Sequence, residues 1–352
     1  MTNNIVLNNN KELIIGQVGE EVFEFLNQNV DFSDQTFITS TNATFNIDSL
    51  NADTYNTIIN LKRVNDFRWI NKYFESVNKK LPIGGVFIDS VETYAVRKNR
   101  LLKKFPKPFN YIYYFFDVLL TRVSPKIKLT QNLYFFLTKG KGRVISRPEV
   151  LGRLYSCGFE IVKEEIINNK LYFVSRKIAA PSFNLQPTYG LLIKLNRVGK
   201  GGKPIKVYKF RTMHPYAEYL QQYVFERNNL KEGGKLKDDF RISTPGKILR
   251  KYWIDELPMI INLLKGDLKI IGVRPLSPHY LSLYTSEVQE LRKRIKPGLL
   301  PPFYADLPKT LDEIMISEKK YIEKYIKYPV KTDVQYFFKV IYNIVIKKAR
   351  SN

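Results

Sequence analysis

Asp255 and Glu256 stand side by side in I-D-E-L-P, and Arg241, Arg250 and Arg274 lie in the same stretch, residues 239 to 280. That combination suits phosphate chemistry better than packing. Pro258 fits only the first turn of a helix, because it lacks an N–H and its ring would clash further in, so the acids are expected at a helix start. Free N–H groups and the macrodipole there favour anions, nucleotide phosphates and a metal-bridged carboxylate among them. Adjacent helical residues point about 100° apart, so two separate roles are expected rather than one shared proton. Leu257, Ile260, Ile261 and Leu264 recur at helical spacing and Gly266 supplies a stop, which predicts a core-facing stripe behind the acids. A plainer reading stands beside this one: acids are ordinary first-turn residues, and arginines are often solvated surface charge.

Around these residues runs an ordered series of motifs. R-V-G-K-G-G-K-P-I-K-V-Y (Arg197 to Tyr208) leads into K-F-R-T-M (Lys209 to Met213), and D-F-R-I-S-T-P-G-K-I-L-R, I-D-E-L-P, N-L-L-K-G-D-L, G-V-R-P-L and K-P-G follow. Over roughly residues 190 to 300 the series resembles the bacterial sugar transferases, monotopic phosphoglycosyl transferases of the undecaprenyl-phosphate hexose-1-phosphate type. The resemblance implies transfer of a hexose-1-phosphate from a UDP-sugar to polyprenyl phosphate, with Mg²⁺, in the synthesis of surface polysaccharide. It also implies that Asp255 attacks the sugar-bearing phosphorus, expels UMP and holds a phosphosugar-aspartate intermediate, while Glu256 holds Mg²⁺ or positions the acceptor. Lys209, Arg211, Arg241, Arg250 and Arg274 are the phosphate-binding candidates, since a guanidinium grips two phosphate oxygens at once.

The chain departs from that family pattern in places. The re-entrant membrane helix that usually precedes R-V-G is lacking, because residues 176 to 192 hold two prolines and no long apolar run. Met259 stands where Gln is usual, Val273 interrupts G-P-R-P, and Trp253-Ile254 replaces Ser-Leu. The acids and arginines are untouched, so these changes bear on the lipid acceptor rather than on the phosphate chemistry.

Charge points the same way. The net charge is +24, although residues 1 to 60 hold Lys11 as their one basic residue against eight acids, so the rest is more basic still. A basic body implies anionic partners. No stacking-platform or zinc-finger spacing is present, so nucleic acid is not expected. One cysteine, Cys157, and two histidines exclude an intramolecular disulfide and make no zinc cluster.

No apolar run reaches the ~18 residues of a spanning helix, and from its polar N-terminus no signal peptide is expected. Phe109 to Leu120 is apolar apart from Asn110 and Asp117 and is flanked by lysines and arginines. As a helix about 18 Å long it lies on a bilayer rather than crossing it. Phe337, Val340, Ile341, Ile344 and Val345 repeat the theme, with Lys347, Lys348 and Arg350 beyond. Either segment is equally a helix packed on its own domain. The expected location is cytoplasmic, attached peripherally to the inner face of the cytoplasmic membrane through its anionic surface.

The first half predicts a separate α/β domain. Glu12 to Asn27 reads as strand, glycine turn and helix; Thr36 to Ser40, Thr57 to Leu61 and Val86 to Ser90 read as strands, and Phe159 to Glu165 with Lys170 to Arg176 as a closing pair. Alternating strands and helices imply a doubly wound, Rossmann-like sheet, resembling the class I methyltransferase fold in its final portion. Only Gly16 and Gly19 stand in the glycine turn, and Thr41-Asn42 occupy the place of a ribose-binding acid, so a degenerate scaffold is expected in preference to S-adenosylmethionine binding. The organisation read is 1–178 with a basic, aromatic insert at about 94–145, a linker from Ala179 to Gly190, and a mixed α/β, helix-rich sugar-transferase domain at 191–352 ending in an amphipathic helix. Two other functions stay open: an S-adenosylmethionine-dependent methyltransferase acting on a saccharide precursor, and a non-catalytic assembly protein that binds nucleotide sugar.

Overall fold

A computed structural model describes residues 11–182, 190–227 and 239–347. The Asn-rich first ten residues, positions 183–189 of the linker, Lys348 and Arg350 lie outside the described residues. The chain divides into two compact units, Met1–Pro187 with Pro215–Leu220 (unit 1) and Thr188–His214 with Gln221–Asn352 (unit 2).

Unit 1 is built on a five-stranded sheet of β1 (Thr36–Thr39), β2 (Thr57–Arg63), β3 (Val86–Val91), β4 (Phe159–Ile167) and β5 (Lys170–Lys177), in the order β1-β2-β3-β5-β4. β1 to β3 run parallel, and β5 lies antiparallel between β3 and β4. The parallel strands read as unbroken apolar runs because both of their faces are covered: Ile58, Ile59, Phe87 and Ile88 are all buried. Helix Ile70–Lys80 supplies one cover, with Phe74 edge-on to Phe87 and Phe173. Asn168 and Asn169, both at positive φ, make the tight turn between β4 and β5, a conformation asparagine tolerates well. The result is a mixed α/β, Rossmann-like sheet, as expected.

Its first element is not. Residues 11–18 are helical and a second helix, Glu20–Asn29, follows, so among the described residues no strand or glycine-rich turn precedes it. The reason is a single helical stripe, Ile14, Val18, Val22, Phe25 and Leu26, which packs into one core cluster across the break at Gly19. Gly16 therefore sits within a helix, and the feature that suggested a cofactor loop is gone.

Ala179–Ser182 run back along unit 1, where the Ser182 N–H donates to the Ser156 carbonyl at 2.8 Å. Pro215–Leu220 joins the same unit through Tyr216. Its hydroxyl accepts from Asn71 Nδ2 at 2.9 Å, and the Arg153 guanidinium covers its ring at 4.4 Å. Gly152 has to be glycine here, because a Cβ would come within 2.2 Å of the Tyr216 carbonyl oxygen.

In unit 2, β6 (Leu192–Val198) and β7 (Pro204–Phe210) form an antiparallel hairpin whose turn takes Gly201 and Gly202 at positive φ. A parallel pair, β8 (Lys269–Ile271) and β9 (Gly298–Leu300), brings G-V-R-P beside K-P-G. Either glycine's Cβ would meet the other strand, at 2.2 Å for Gly298 and 2.8 Å for Gly272. Helices Leu311–Lys327 and Pro329–Val345 close the core through Tyr321, Ile322, Tyr336 and Val340.

The terminal helix buries Thr332, Tyr336, Val340 and Asn343, and Asn343 Nδ2 donates to the carbonyls of Tyr304 and Ala305. The expected face is thus divided: Val340 is core, whereas Phe337, Ile341 and Val345 remain exposed.

Candidate active site

The acids sit at a helix start, as Pro258 implies. Ile254–Met259 form a 3₁₀ turn that runs into the short α-helix Ile260–Leu264, and Trp253 enters it at φ 55°. Gly266, at φ 73°, ends it. The orientation of the helix differs from expectation, since Leu257, Ile260, Ile261 and Leu264 are all exposed and the buried side is made by Pro258, Met259 and Asn262. Asn262 explains the reversal. Its Oδ1 accepts the Tyr208 N–H at 3.0 Å and its Nδ2 donates to the Lys206 carbonyl at 2.8 Å, so the helix binds the edge of β7 by imitating a strand. Buried amides need such partners, and the apolar stripe is left facing outward beside the acids.

That seam brings Lys209, on β7, against Glu256: Nζ to Oε1 is 2.6 Å. Burial lowers the Lys209 pKa, with the neighbouring Glu256 charge pulling the other way. Asp255 is buried, and its pKa is raised, chiefly by burial and further by Glu256, against the opposing charges of Lys209 and Arg250. Among the described residues no ion pair within 4.0 Å reaches Asp255.

Arg250 comes from helix Thr244–Lys251, whose start is fixed by S-T-P-G. Ser243 caps it by accepting the Gly246 N–H at 3.0 Å, and Pro245 fits its first turn. Gly246 lets the helix approach β7's extension, since a Cβ there would lie 2.0 Å from the Thr212 carbonyl oxygen. Arg250 Nε then donates to Thr212 Oγ1 at 2.9 Å, and burial lowers its pKa, which the Asp255 charge opposes.

Arg274, in G-V-R-P, bears electrostatically on Lys209 and Arg250. Its backbone is fixed by Arg292, which donates to the Arg274 carbonyl and pairs with buried Glu318. Arg197 belongs with it: its pKa is lowered by burial and then by the Arg274 charge. Arg197 stands within R-V-G and is not among the phosphate-binding candidates read from the sequence; what brings it in is β6, paired with the strand that carries Lys209.

The remaining two candidates stand further back. Arg241 is buried and holds Asp239 in a fork, Nε to Oδ1 at 2.8 Å and Nη2 to Oδ2 at 2.7 Å, and it also donates to Gln221. Its charge reaches Arg250 rather than joining the acids directly. Arg211 donates Nε to the Gly190 carbonyl at 2.9 Å, at the open end of the β6–β7 hairpin. The structure therefore gathers Asp255, Glu256, Lys209, Arg250 and Arg274, adds Arg197, and leaves Arg241 and Arg211 as supports. Among the described residues no group of three or more His, Cys, Asp or Glu is arranged to hold a metal ion.

Comparison with known proteins bears on the motif-bearing half of the chain. The bacterial sugar transferase family model matches residues 172–347. The uncharacterized sugar transferase EpsL of Bacillus subtilis is 41% identical over 126 residues, 36% of this chain and 52% of that protein. The galactosyl transferase CpsE of Streptococcus agalactiae is 41% identical over 105 residues, 30% of this chain and 23% of its own length. The UDP-N-acetylgalactosamine-undecaprenyl-phosphate N-acetylgalactosaminephosphotransferase of Aeromonas hydrophila is 34% identical over 137 residues, 35% of this chain and 30% of that protein. The chain thus spans about half the length of these curated relatives, or less. A solved structure, PigF with SAH, aligns over 50% of this chain and 61% of its own at 14% identity, but its TM-score of 0.27 is too loose a likeness to use. The family match covers half of the residues, runs through every motif of the site and includes both acids: the chain belongs to the bacterial sugar transferase family.

Proposed function

We propose that unit 2 transfers a hexose-1-phosphate from a UDP-sugar to polyprenyl phosphate, in the synthesis of a surface polysaccharide at the inner face of the cytoplasmic membrane. One observation carries this reading. Asp255 is buried without an ion-pair partner among the described residues, within the field of Lys209 and Arg250, both of which Arg274 acts on in turn, at a helix start whose exposed face is apolar.

In the first step an Asp255 carboxylate oxygen attacks the sugar-bearing phosphorus, and the bond to the bridging oxygen breaks. UMP leaves with that oxygen, and the phosphosugar stays on Asp255. In the second step a phosphate oxygen of the polyprenyl lipid attacks the same phosphorus and frees the carboxylate. Phosphoryl transfer asks the protein mainly to position groups and to neutralise charge on the non-bridging oxygens, which Arg250, Arg274, Arg197 and Lys209 do. The exposed Leu257, Ile260, Ile261 and Leu264 give the lipid chain an apolar approach to the acid.

Mg²⁺ is normally bound by one or two carboxylates together with substrate phosphates rather than by an all-protein cage. Two adjacent carboxylates beside a cationic pocket fit that mode. Glu256 would hold the ion on releasing Lys209, and the ion would supply charge neutralisation on the diphosphate.

Incubating the protein with Mg²⁺, polyprenyl phosphate in detergent and a panel of UDP-sugars, and following UMP, tests the reading. Release by the parent and none by Asp255→Asn is expected. Full release by Asp255→Asn would refute it, and UDP-sugar binding with no turnover across the panel would leave a nucleotide-sugar-binding assembly protein.

A further inference from the structure

Helix Phe109–Val118, in the insert of unit 1, wears its polarity inside out. Asn110 and Asp117, seven residues apart and so on one face, are the residues that attach it to its own unit. Asn110 is buried and donates Nδ2 to the Leu102 carbonyl at 2.9 Å; Asp117 accepts a fork from Arg97, at 2.9 Å from Nε and 2.6 Å from Nη2. Phe109, Ile112, Phe115 and Phe116 on the other side are 65%, 52%, 59% and 57% exposed. A helix packed only for its own domain shows the reverse order.

A second helix of the same insert, Lys128–Thr138, carries an exposed stripe of its own. Leu129, Leu133, Phe136 and Leu137 form one stripe at i, i+4, i+7 and i+8, each more than 60% exposed, while Tyr134 is buried on the opposite side. Two such exposed apolar stripes in one short insert mark an interaction site.

The charge around this face names its occupant. Asp117 is the only acid between residues 94 and 145, and Arg97 has already taken it. Exposed Lys103, Lys104 and Lys107 precede the first helix, and Lys139 follows the second. Lys104 Nζ lies over the rings of Phe105 and Tyr113, at 5.3 and 5.8 Å, which sets cations at the rim of the aromatic surface. Nucleic acid would satisfy the lysines and leave the apolar stripe in water. An anionic bilayer satisfies both, headgroups against the rim and acyl chains against the rings. A helix of this length, about 15 Å, lies in the interface and does not cross, and no described helix is long and apolar enough to span.

We propose that this two-helix face of unit 1 inserts, in the membrane plane, into an anionic lipid surface. The inference deepens the membrane part of the transfer reading, on which it rests for the nearness of a bilayer, by giving unit 1 an attachment of its own. Flotation of the full chain with phosphatidylcholine vesicles, with and without phosphatidylglycerol, tests it without turnover, so its failure is separable from failure of the UMP assay. The parent is expected to float with the anionic vesicles, and Phe115→Glu with Phe136→Glu to weaken that binding by about tenfold or more. Both side chains are exposed, so an unchanged thermal melt confirms that the variant folds. Undiminished flotation of the variant, or equal binding to phosphatidylcholine alone, overturns the proposal. So does a parent that fails to float but dimerises through the same two residues, which would make the face a contact between copies.

Discussion

Glu92 in unit 1 and Asp255 in unit 2 are both buried carboxylates set among cations, and they are treated oppositely. Glu92 is ion-paired with Arg63, Arg97 and Arg100 at 2.9, 3.4 and 2.6 Å. Asp255 feels Lys209 and Arg250 without pairing to either within 4.0 Å, and the close contact of Lys209 goes to Glu256. Saturation fixes a fold, because a buried charge that loses its partners is costly. A buried acid left short of partners keeps lone pairs for chemistry, and the surrounding cations are left for an incoming anion.

Neutralising each acid should separate these uses. Asp255→Asn is expected to lower UMP release by at least about a thousandfold, the scale on which loss of a nucleophile is felt. Because that carboxylate is not saturated, the melting temperature should hold or rise. Glu92→Gln should do the opposite, leaving turnover per folded molecule in place and costing roughly 2–4 kcal/mol of stability as three arginines lose their common partner. Activity and denaturant titration on both variants would break the contrast if Asp255→Asn were the less stable of the two.

Acidity gives a finer reading. Burial raises the Asp255 pKa, and the acid must be ionised to attack, so turnover should be present above that pKa and lost as pH falls through it. In a single-turnover pH profile the acid limb should lie above the ordinary value of 3.8. Lys209 opposes the rise, so Lys209→Met should carry the limb to still higher pH. A limb unmoved by that substitution would mean another group titrates.

What could be read in advance was whatever the chain settles locally. The Ser243 cap, Pro258 at a helix start and Gly266 as a stop are each fixed within a few residues, and β1 to β5 follow from their own apolar runs. Tertiary choices escaped. Leu257, Ile260, Ile261 and Leu264 declare a stripe by their spacing, but only Asn262's bonds to β7 decide that it faces outward. Arg241 resembled its fellow arginines until Asp239, two residues before it, proved to hold it, a local pairing that D-D-F-R did offer. Arg197 joins the site through hairpin pairing with β7, which no short window displays. Glu12 to Asn27 was misleading because I-I-G-Q-V-G looks like a strand and turn, whereas Ile14, Val18 and Val22 continue one helical stripe through both glycines.

The smallest effect tests how the two acids are held rather than what they do. Asn262 ties the helix that follows the acids to the backbone of β7, through Tyr208 and Lys206, beside the Lys209–Glu256 pair. It makes a third bond to Asp267 Oδ2 at 3.2 Å. Asn262→Leu keeps the volume and strands the Tyr208 N–H and the Lys206 carbonyl, at a cost of about 2–4 kcal/mol for two unsatisfied backbone groups. Asn262→Asp keeps the acceptor for Tyr208 but sets a buried charge against the Lys206 carbonyl and Asp267, so it should cost at least as much. If the seam exists to set Lys209 against Glu256, both variants should depress kcat at saturating donor, and the acid limb of the pH profile should move upward as it does in Lys209→Met. A purely structural role for Asn262 would lower the melting temperature and leave that limb in place.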